Sequence, residues 1–183
     1  MAFRGTLHAL SPEHKRGLLA SEDDAAVMAY VRRLGDAGSQ VLDDAGSQVL
    51  DDAGSQVLDD AGSQVLDEAW EPVHRSLTDG YCRTDNGDYP LALAVLGGRQ
   101  LHDGEDHIVS YVAPGEVHEL IEALDEIDEA EFADRYFLID EEDYDVELDD
   151  EGLKVAWAAF TALRAFYERA AEHGQATVFV VDQ

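Results

Sequence analysis

Residues Asp36 to Asp67 are four perfect copies of one octapeptide, Asp-Ala-Gly-Ser-Gln-Val-Leu-Asp. This block limits the fold more than any other feature, because two large apolar residues in eight cannot build a core of their own. On a helix, eight residues overshoot two turns by roughly 80°. The pairs Val41/Leu42, Val49/Leu50, Val57/Leu58 and Val65/Leu66 would then spiral around the axis instead of forming a stripe. Each glycine adds about 1 kcal/mol against the helix, and a helix continued to Leu77 would carry Pro72 in its interior at roughly 3 kcal/mol. As strands, the even period puts every valine on one side, and Asp-Asp-Ala-Gly supplies a turn. Four such short coils make a poor solenoid. Three conformations stay open: an acidic loop, which the composition favours, broken helical turns, and a stack of β-turns. The paired aspartates lack the alternating oxygen spacing of an EF-hand loop. Identity at every position points to duplication of one segment. Removing three copies leaves 159 residues and joins Leu34-Gly35 to one octad and then Glu68-Ala69-Trp70.

The remaining sequence alternates helix and strand signals without a strict βαβ rhythm. Ala2 to Ala9 reads as a strand. Ser11-Pro12-Glu13 is a helix start, with serine as cap and proline at the first position. Asp24 to Leu34 has helical spacing in Val27, Val31 and Leu34. Leu66, Trp70, Val73 and Leu77 predict a helix over Asp67 to Thr78, stopped by Asp79-Gly80. The apolar run Leu91 to Leu96, closed by Gly97-Gly98, reads as a buried strand or strand-like core segment. Ile108 to Val112 alternates as a strand. Pro114 opens a helix with Val117, Leu120, Ile121, Leu124 and Ile127 on one face, and a short helix is expected over Glu129 to Tyr136. Leu153 to His173 is the strongest helix, followed by Gly174 where a left-handed cap belongs. Ala176 to Val181 is a final, central strand. The expected core holds Trp70, Val73, Leu93, Val95, Leu120, Leu124, Trp157, Phe160, Leu163, Val178 and Val180. The fold class is α+β: a single domain over 1–183, a small mixed sheet packed with several helices, and the octapeptide segment 36–67 inserted in it.

Charge restricts function. Of 183 residues, 41 are acidic and 12 basic, a formal net charge of −29. That sign opposes binding to nucleic-acid phosphates and to anionic membranes. No run of 18 apolar residues exists, so no transmembrane helix is expected. Met1 to Gly17 has no apolar h-region, so no secretory leader is expected. Cys82 is the only cysteine, which excludes an intrachain disulfide or a cysteine-cluster metal site. A soluble cytoplasmic protein is expected. From Glu116 to Glu151 there are 18 acidic residues and one basic, Arg135, with an exposed acidic loop expected over Asp140 to Glu151.

Candidate chemistry is sparse, and no catalytic residue can be named. Trp70 and His74, one turn apart, could line a pocket with the imidazole as base or donor. His102, Asp103, Glu105, Asp106 and His107 flank Gly104; two histidines and carboxylates can ligate a divalent metal. That spacing is not a helical His-x-x-x-His, and the segment reads as a polar hairpin loop, so no resident metal or other cofactor is expected. There is no Gly-x-Ser-x-Gly elbow, Walker loop or dinucleotide fingerprint.

Several segments in order carry a resemblance: Gly5-x-Leu7 with Leu10-Ser11-Pro12-Glu13, then Leu66-Asp67-Glu68-Ala69-Trp70-x-x-x-His74-x-x-Leu77-Thr78-x-Gly80, then Leu91-Ala92 with Leu96-Gly97-Gly98. Phe166-Tyr167-x-x-Ala170-Ala171-x-x-Gly174 and the ending Val181-Asp182-Gln183 complete it. The set resembles the YfbM-like family of small bacterial proteins, built on a domain of unknown function. The resemblance covers almost the whole chain apart from the surplus octads. It implies one α+β domain and no particular reaction. The expected function is a binding module for a basic protein partner, its acidic face steering association. The alternative is a small hydrolase or metal-dependent enzyme using His74 or the His102–His107 cluster. The sequence leaves the oligomeric state open.

Overall fold

A computed structural model describes residues 4–42, 62–104, 107–144 and 146–182. Octad residues 43–61, together with Glu105 and Asp106, lie outside the described residues. Five strands form one sheet: β1 (Gly5–Leu10), β2 (Ser63–Asp67), β3 (Arg99–Gln100), β4 (His107–Val112) and β5 (Ala176–Asp182), in the order β2-β1-β5-β4-β3. Every pairing is antiparallel, so the expected mixed sheet is corrected to an antiparallel one. β1 and β4 therefore run one way and β2, β3 and β5 the other. As expected, Ala176 to Val181 is central: Thr-Val-Phe-Val-Val supplies β-branched and aromatic residues for both faces.

The pleat of β5 divides the interior into two layers. Phe179 and Val181 face a large apolar cluster, whereas Ala176, Val178 and Val180 face a smaller one. The smaller is covered by α1 (Pro12–Leu19) and α2 (Asp24–Leu42), through Leu18, Val27, Met28, Val31 and Leu34. Ser11 Oγ accepts from His14 N at 3.1 Å and starts α1 as its sequence predicts. The larger is covered by α3 (Trp70–Leu77), α4 (Pro114–Asp125), α5 (Glu129–Tyr136) and α7 (Asp150–Glu172), with a short α6 (Glu141–Tyr144) at the rim. Asp128 and Asp149 cap α5 and α7 through Glu131 N (2.9 Å) and Gly152 N (2.7 Å). Gly174, at φ +62°, ends α7 in the left-handed conformation that glycine adopts without strain. Gly5 is required for a different reason: a Cβ there would lie 2.5 Å from Trp70 Cδ1 and 2.8 Å from Phe179 Cζ.

Three further expectations are corrected. Leu91–Ala94 is a 3-10 helix, not a strand. Leu93 to Leu96 are all buried, and burial on every side removes the periodicity that distinguishes the two. Trp157 is only partly buried at the edge of the large cluster, stacked on Phe160 at 5.3 Å. The other ten expected core residues are buried. The third correction concerns the repeat. Its last copy forms β2, so the following helix begins at Trp70 and not at Asp67. β1 offers open hydrogen-bonding groups to residues 63–67, and Asp67, at φ 46°, turns the chain out of the strand. The first copy, from Asp36 to Leu42, continues α2. One sequence, Ser-Gln-Val-Leu, is therefore helical at 39–42 and extended at 63–66. Its intrinsic preference is weak, and what lies beside it decides.

Three of the four copies are expected to be dispensable. The described buried side chains of α2 end at Leu34, and the copy at 60–67 supplies β2. Deleting Asp36 to Asp59 is expected to change stability by no more than about 1–2 kcal/mol, because connection length enters only logarithmically. Guanidinium unfolding followed by tryptophan fluorescence checks this. A much larger loss would make the array a structural element.

Candidate functional site

α3 is unusual in being buried on all sides from Pro72 to Leu77. Trp70, Val73 and Leu77 point into the core, and the segment 78–90 wraps the opposite face. Trp70 packs on Phe179 with ring centroids 5.7 Å apart. His74 Nε2 lies 2.9 Å from the carbonyl of Arg83 and 3.2 Å from Asn86 Oδ1. Both partners are acceptors, which assigns the proton to Nε2. Asn86 Nδ2 donates in turn to Tyr81 O (2.8 Å), Thr78 Oγ1 (3.2 Å) and Asp79. The His74 ring is thus the post around which the loop is tied. Burial lowers its pKa, opposed by the Arg83 and Asn86 contacts. With Trp70 4% and His74 1% exposed, neither side chain presents a reacting surface to solvent.

Arg75, one residue on, does more. Its Nε and Nη2 donate to Glu71 Oε1 (3.0 and 2.8 Å), and Nη1 donates to Gly80 O (2.9 Å) and Asp143 Oδ2 (2.7 Å). Its guanidinium also lies over the Tyr144 ring at 5.0 Å. Burial disfavours the cation, yet the bonds to Asp143 and Glu71 outweigh this and raise its pKa. Sequence reading did not single out Arg75 or Asn86. The Glu71–Arg75 spacing of four was the available signal. Cys82 sits beside this network, and burial pushes its thiol up to about 11. It is a protonated thiol near neutral pH and a poor nucleophile.

The second candidate cluster is tied to the opposite layer. His102 and His107 meet edge to face at 5.6 Å, and His102 Nε2 is 3.9 Å from Asp24 Oδ2. Asp103 N donates to Asp24 Oδ1 at 3.2 Å, and Gly104 N donates to His102 Nδ1 at 3.1 Å. These contacts fasten the β3–β4 connection to the first turn of α2. Asp106 lies outside the described residues. Among the described residues, no group of three or more histidine, cysteine or carboxylate side chains is placed to hold a metal ion.

A fourth histidine, His8, bears on acid stability. His8, on β1, is 7% exposed, and burial lowers its pKa from 6.5 to about 4. Between those values the unfolded chain binds a proton that the folded chain refuses, so stability falls as pH drops through this window. The loss amounts to about 3 kcal/mol. Relief of carboxylate repulsion opposes it in any variant equally. His8→Leu is therefore expected to flatten the pH 6.5-to-4 limb relative to the parent in urea titrations. Parallel limbs would refute the assignment.

The outer face of the large layer is anionic. Glu119, Glu122 and Asp125 on α4, Glu126 just after it, Glu129 and Asp134 on α5, and Asp149, Asp150 and Glu151 at the start of α7 are exposed. Local cations answer few acids of this stretch: Arg135 pairs with Glu131, Lys154 with Glu151 and Arg75 with Asp143. No helix of the described residues is long and apolar enough to cross a membrane.

Comparison with known proteins agrees with this architecture. The family model described as "Domain of unknown function (DUF1877)" matches residues 1–180. No curated protein matches the chain. The crystal structure of YfbM from Escherichia coli, a protein of unknown function, is similar over 99% of this chain and 99% of that one, with a TM-score of 0.65 and 21% identity. At that identity the likeness concerns the fold alone. With the family model spanning nearly every residue, the chain belongs to the family of the domain of unknown function DUF1877 and has a YfbM-like α+β fold.

Proposed function

We propose that the chain is a binding module that offers an acidic face to a basic protein partner in the cytoplasm. The observation that carries this reading is the presence of 18 acids and one base between Glu116 and Glu151, with the nine acids named above exposed along or at the ends of α4, α5 and α7. Several of these carboxylates cap their own helices, as Glu116 does through Ala113 N at 2.8 Å. Capping fixes their positions without cancelling their charge. A fixed anionic face raises the encounter rate with a cationic partner and repels nucleic acid. His74 ties the loop after α3, and His102 and Asp103 fasten the β3–β4 connection to α2, contacts that support a structural role for both groupings.

Affinity capture from lysate at low and moderate ionic strength tests the reading. Basic proteins should be retained at low salt and released as salt rises. Retention that ignores salt, or none at all, would refute it. The same charge has a consequence for the free protein. Added NaCl near neutral pH should raise the thermal midpoint by screening self-repulsion. A falling midpoint would contradict it.

A further inference from the structure

The turn between α5 and α6 exposes apolar surface from a rigid base. Leu138 is 80% exposed and Phe137 46%. Beneath them, Tyr136 and Ile139 are buried at 2% and 4%. Leu138 N donates to Arg135 O and Ile139 N to Tyr136 O, each at 3.2 Å. The backbone therefore cannot fold Leu138 inward without giving up its two buried anchors. A second segment lies alongside: a Cβ on Gly80 would sit 4.0 Å from Leu138 O and 3.9 Å from Ile139 Cα. Tyr81, next to it, is 37% exposed. Arg75 donates to Gly80 O and to Asp143 on α6, so one buried cation fastens the second segment to the helix that follows the turn. The result is a fixed apolar knob flanked in sequence by the exposed carboxylates Asp79, Asp134 and Asp140; of the nearby cations, Arg135 is paired with Glu131 and Arg83 lies over the Tyr81 ring at 5.2 Å.

We propose that the Phe137–Leu138 turn, with Tyr81, is the anchor point at which a basic segment of a partner protein docks. The partner covers the turn with an apolar side chain and meets the flanking carboxylates with lysine or arginine. Charge complementarity selects this occupant. A second copy of a chain with net charge −29 would bring like-charged rims together, which disfavours self-docking. An apolar centre with a charged rim is also the arrangement in which a few central side chains carry most of the binding energy. This inference rests on the acidic-face reading above and adds where the partner is held.

Two lysine-rich peptides of equal length and charge test it, one bearing leucine where the other bears serine. Their binding to the full chain is followed by fluorescence anisotropy. The leucine peptide is expected to bind about tenfold tighter than the serine peptide. Leu138→Ser should remove most of that preference. Val155→Ser, at an apolar residue 54% exposed on α7, should leave it intact. Leu138 is exposed enough that its variant should melt with the parent. Equal binding of both peptides to the parent, or an unchanged preference in Leu138→Ser, overturns the docking point but leaves the acidic-face reading standing. Failure of both peptides to bind at low ionic strength overturns the two together. Self-association of the parent that is lost in Leu138→Ser overturns it in favour of a second copy.

Discussion

Phe160→Ala is expected to destabilise the protein by about 3–5 kcal/mol, the range for removing a fully buried aromatic ring. Phe160 is 0% exposed and is one of three mutually packed aromatic rings. Its centroid is 4.8 Å from Phe132 on α5 and 5.3 Å from Trp157 on α7, with Arg164 over its face at 5.6 Å. Loss of the ring leaves a cavity between α5 and α7 that helices fixed by capped ends cannot readily close. Trp157→Ala should cost less, on the order of 2 kcal/mol, because the indole is partly hydrated in the folded state and leaves a smaller void. Urea unfolding of both variants checks the order as well as the size. A Trp157 variant less stable than the Phe160 variant would mean that the indole is the keystone of the layer.

That ordering reverses what the sequence alone invites. On a helical wheel Trp157 and Phe160 lie on the same apolar face, and the larger ring attracts the larger expected cost. Spacing shows which face a residue occupies, not how near the middle of that face a neighbouring element crosses. The same reasoning explains which elements were legible. α4, α5 and α7 combine an apolar stripe with a terminal signal, such as Pro114, Asp128 or Gly174, so periodicity and local chemistry agree. The run from Leu91 lacks the stripe because four successive residues, Leu93 to Leu96, are buried: Gly97 N reaches back to Ala92 O at 2.9 Å, and Tyr167 Oη donates to Ala94 O at 2.9 Å. β2 could not be read at all. Its sequence is identical to one that continues α2, and only the open edge of β1, distant in sequence, makes it a strand.

The candidate site was less legible than the fold. His74 stands out in the sequence because histidine is chemically versatile, and Arg75 beside it passes for a helix-surface residue. Which side chain is covered depends on the loop after α3 and on α6, some 68 residues downstream. Contacts of that separation leave no periodic trace. The acidic stretch was legible because charge composition needs no partner to be recognised. The Phe137–Leu138 turn was not, since its two apolar residues read as a continuation of the α5 face until the turn at 136–139 rotates them outward.

Arg75→Met is expected to cost about 2–4 kcal/mol, even though methionine keeps much of the apolar stem. The guanidinium is 5% exposed, whereas Glu71 and Asp143 are 32% and 46% exposed. Those carboxylates recover water when the cation is removed, which holds the loss below that of a fully buried pair. The larger part of the cost falls on the carbonyls of Gly80 and Asp143, both of which accept from the guanidinium, and on the freedom returned to two segments. Arg75→Lys retains the charge but supplies one compact ammonium in place of a planar fork. It cannot reach Glu71, Gly80 and Asp143 at once, and should restore less than half of the loss. Stability alone would not separate a tether from a generic buried contact. Limited proteolysis does so: Arg75→Met, brought by urea to the stability of Phe160→Ala, should be cut within 79–90 and near Asp143, and Phe160→Ala should not. If the two variants are cut alike, Arg75 is ordinary packing and the loop owes its order to His74 and Asn86. If the methionine variant is as stable as the parent to within about 0.5 kcal/mol, the buried cation contributes nothing net, because its desolvation already cancels its hydrogen bonds.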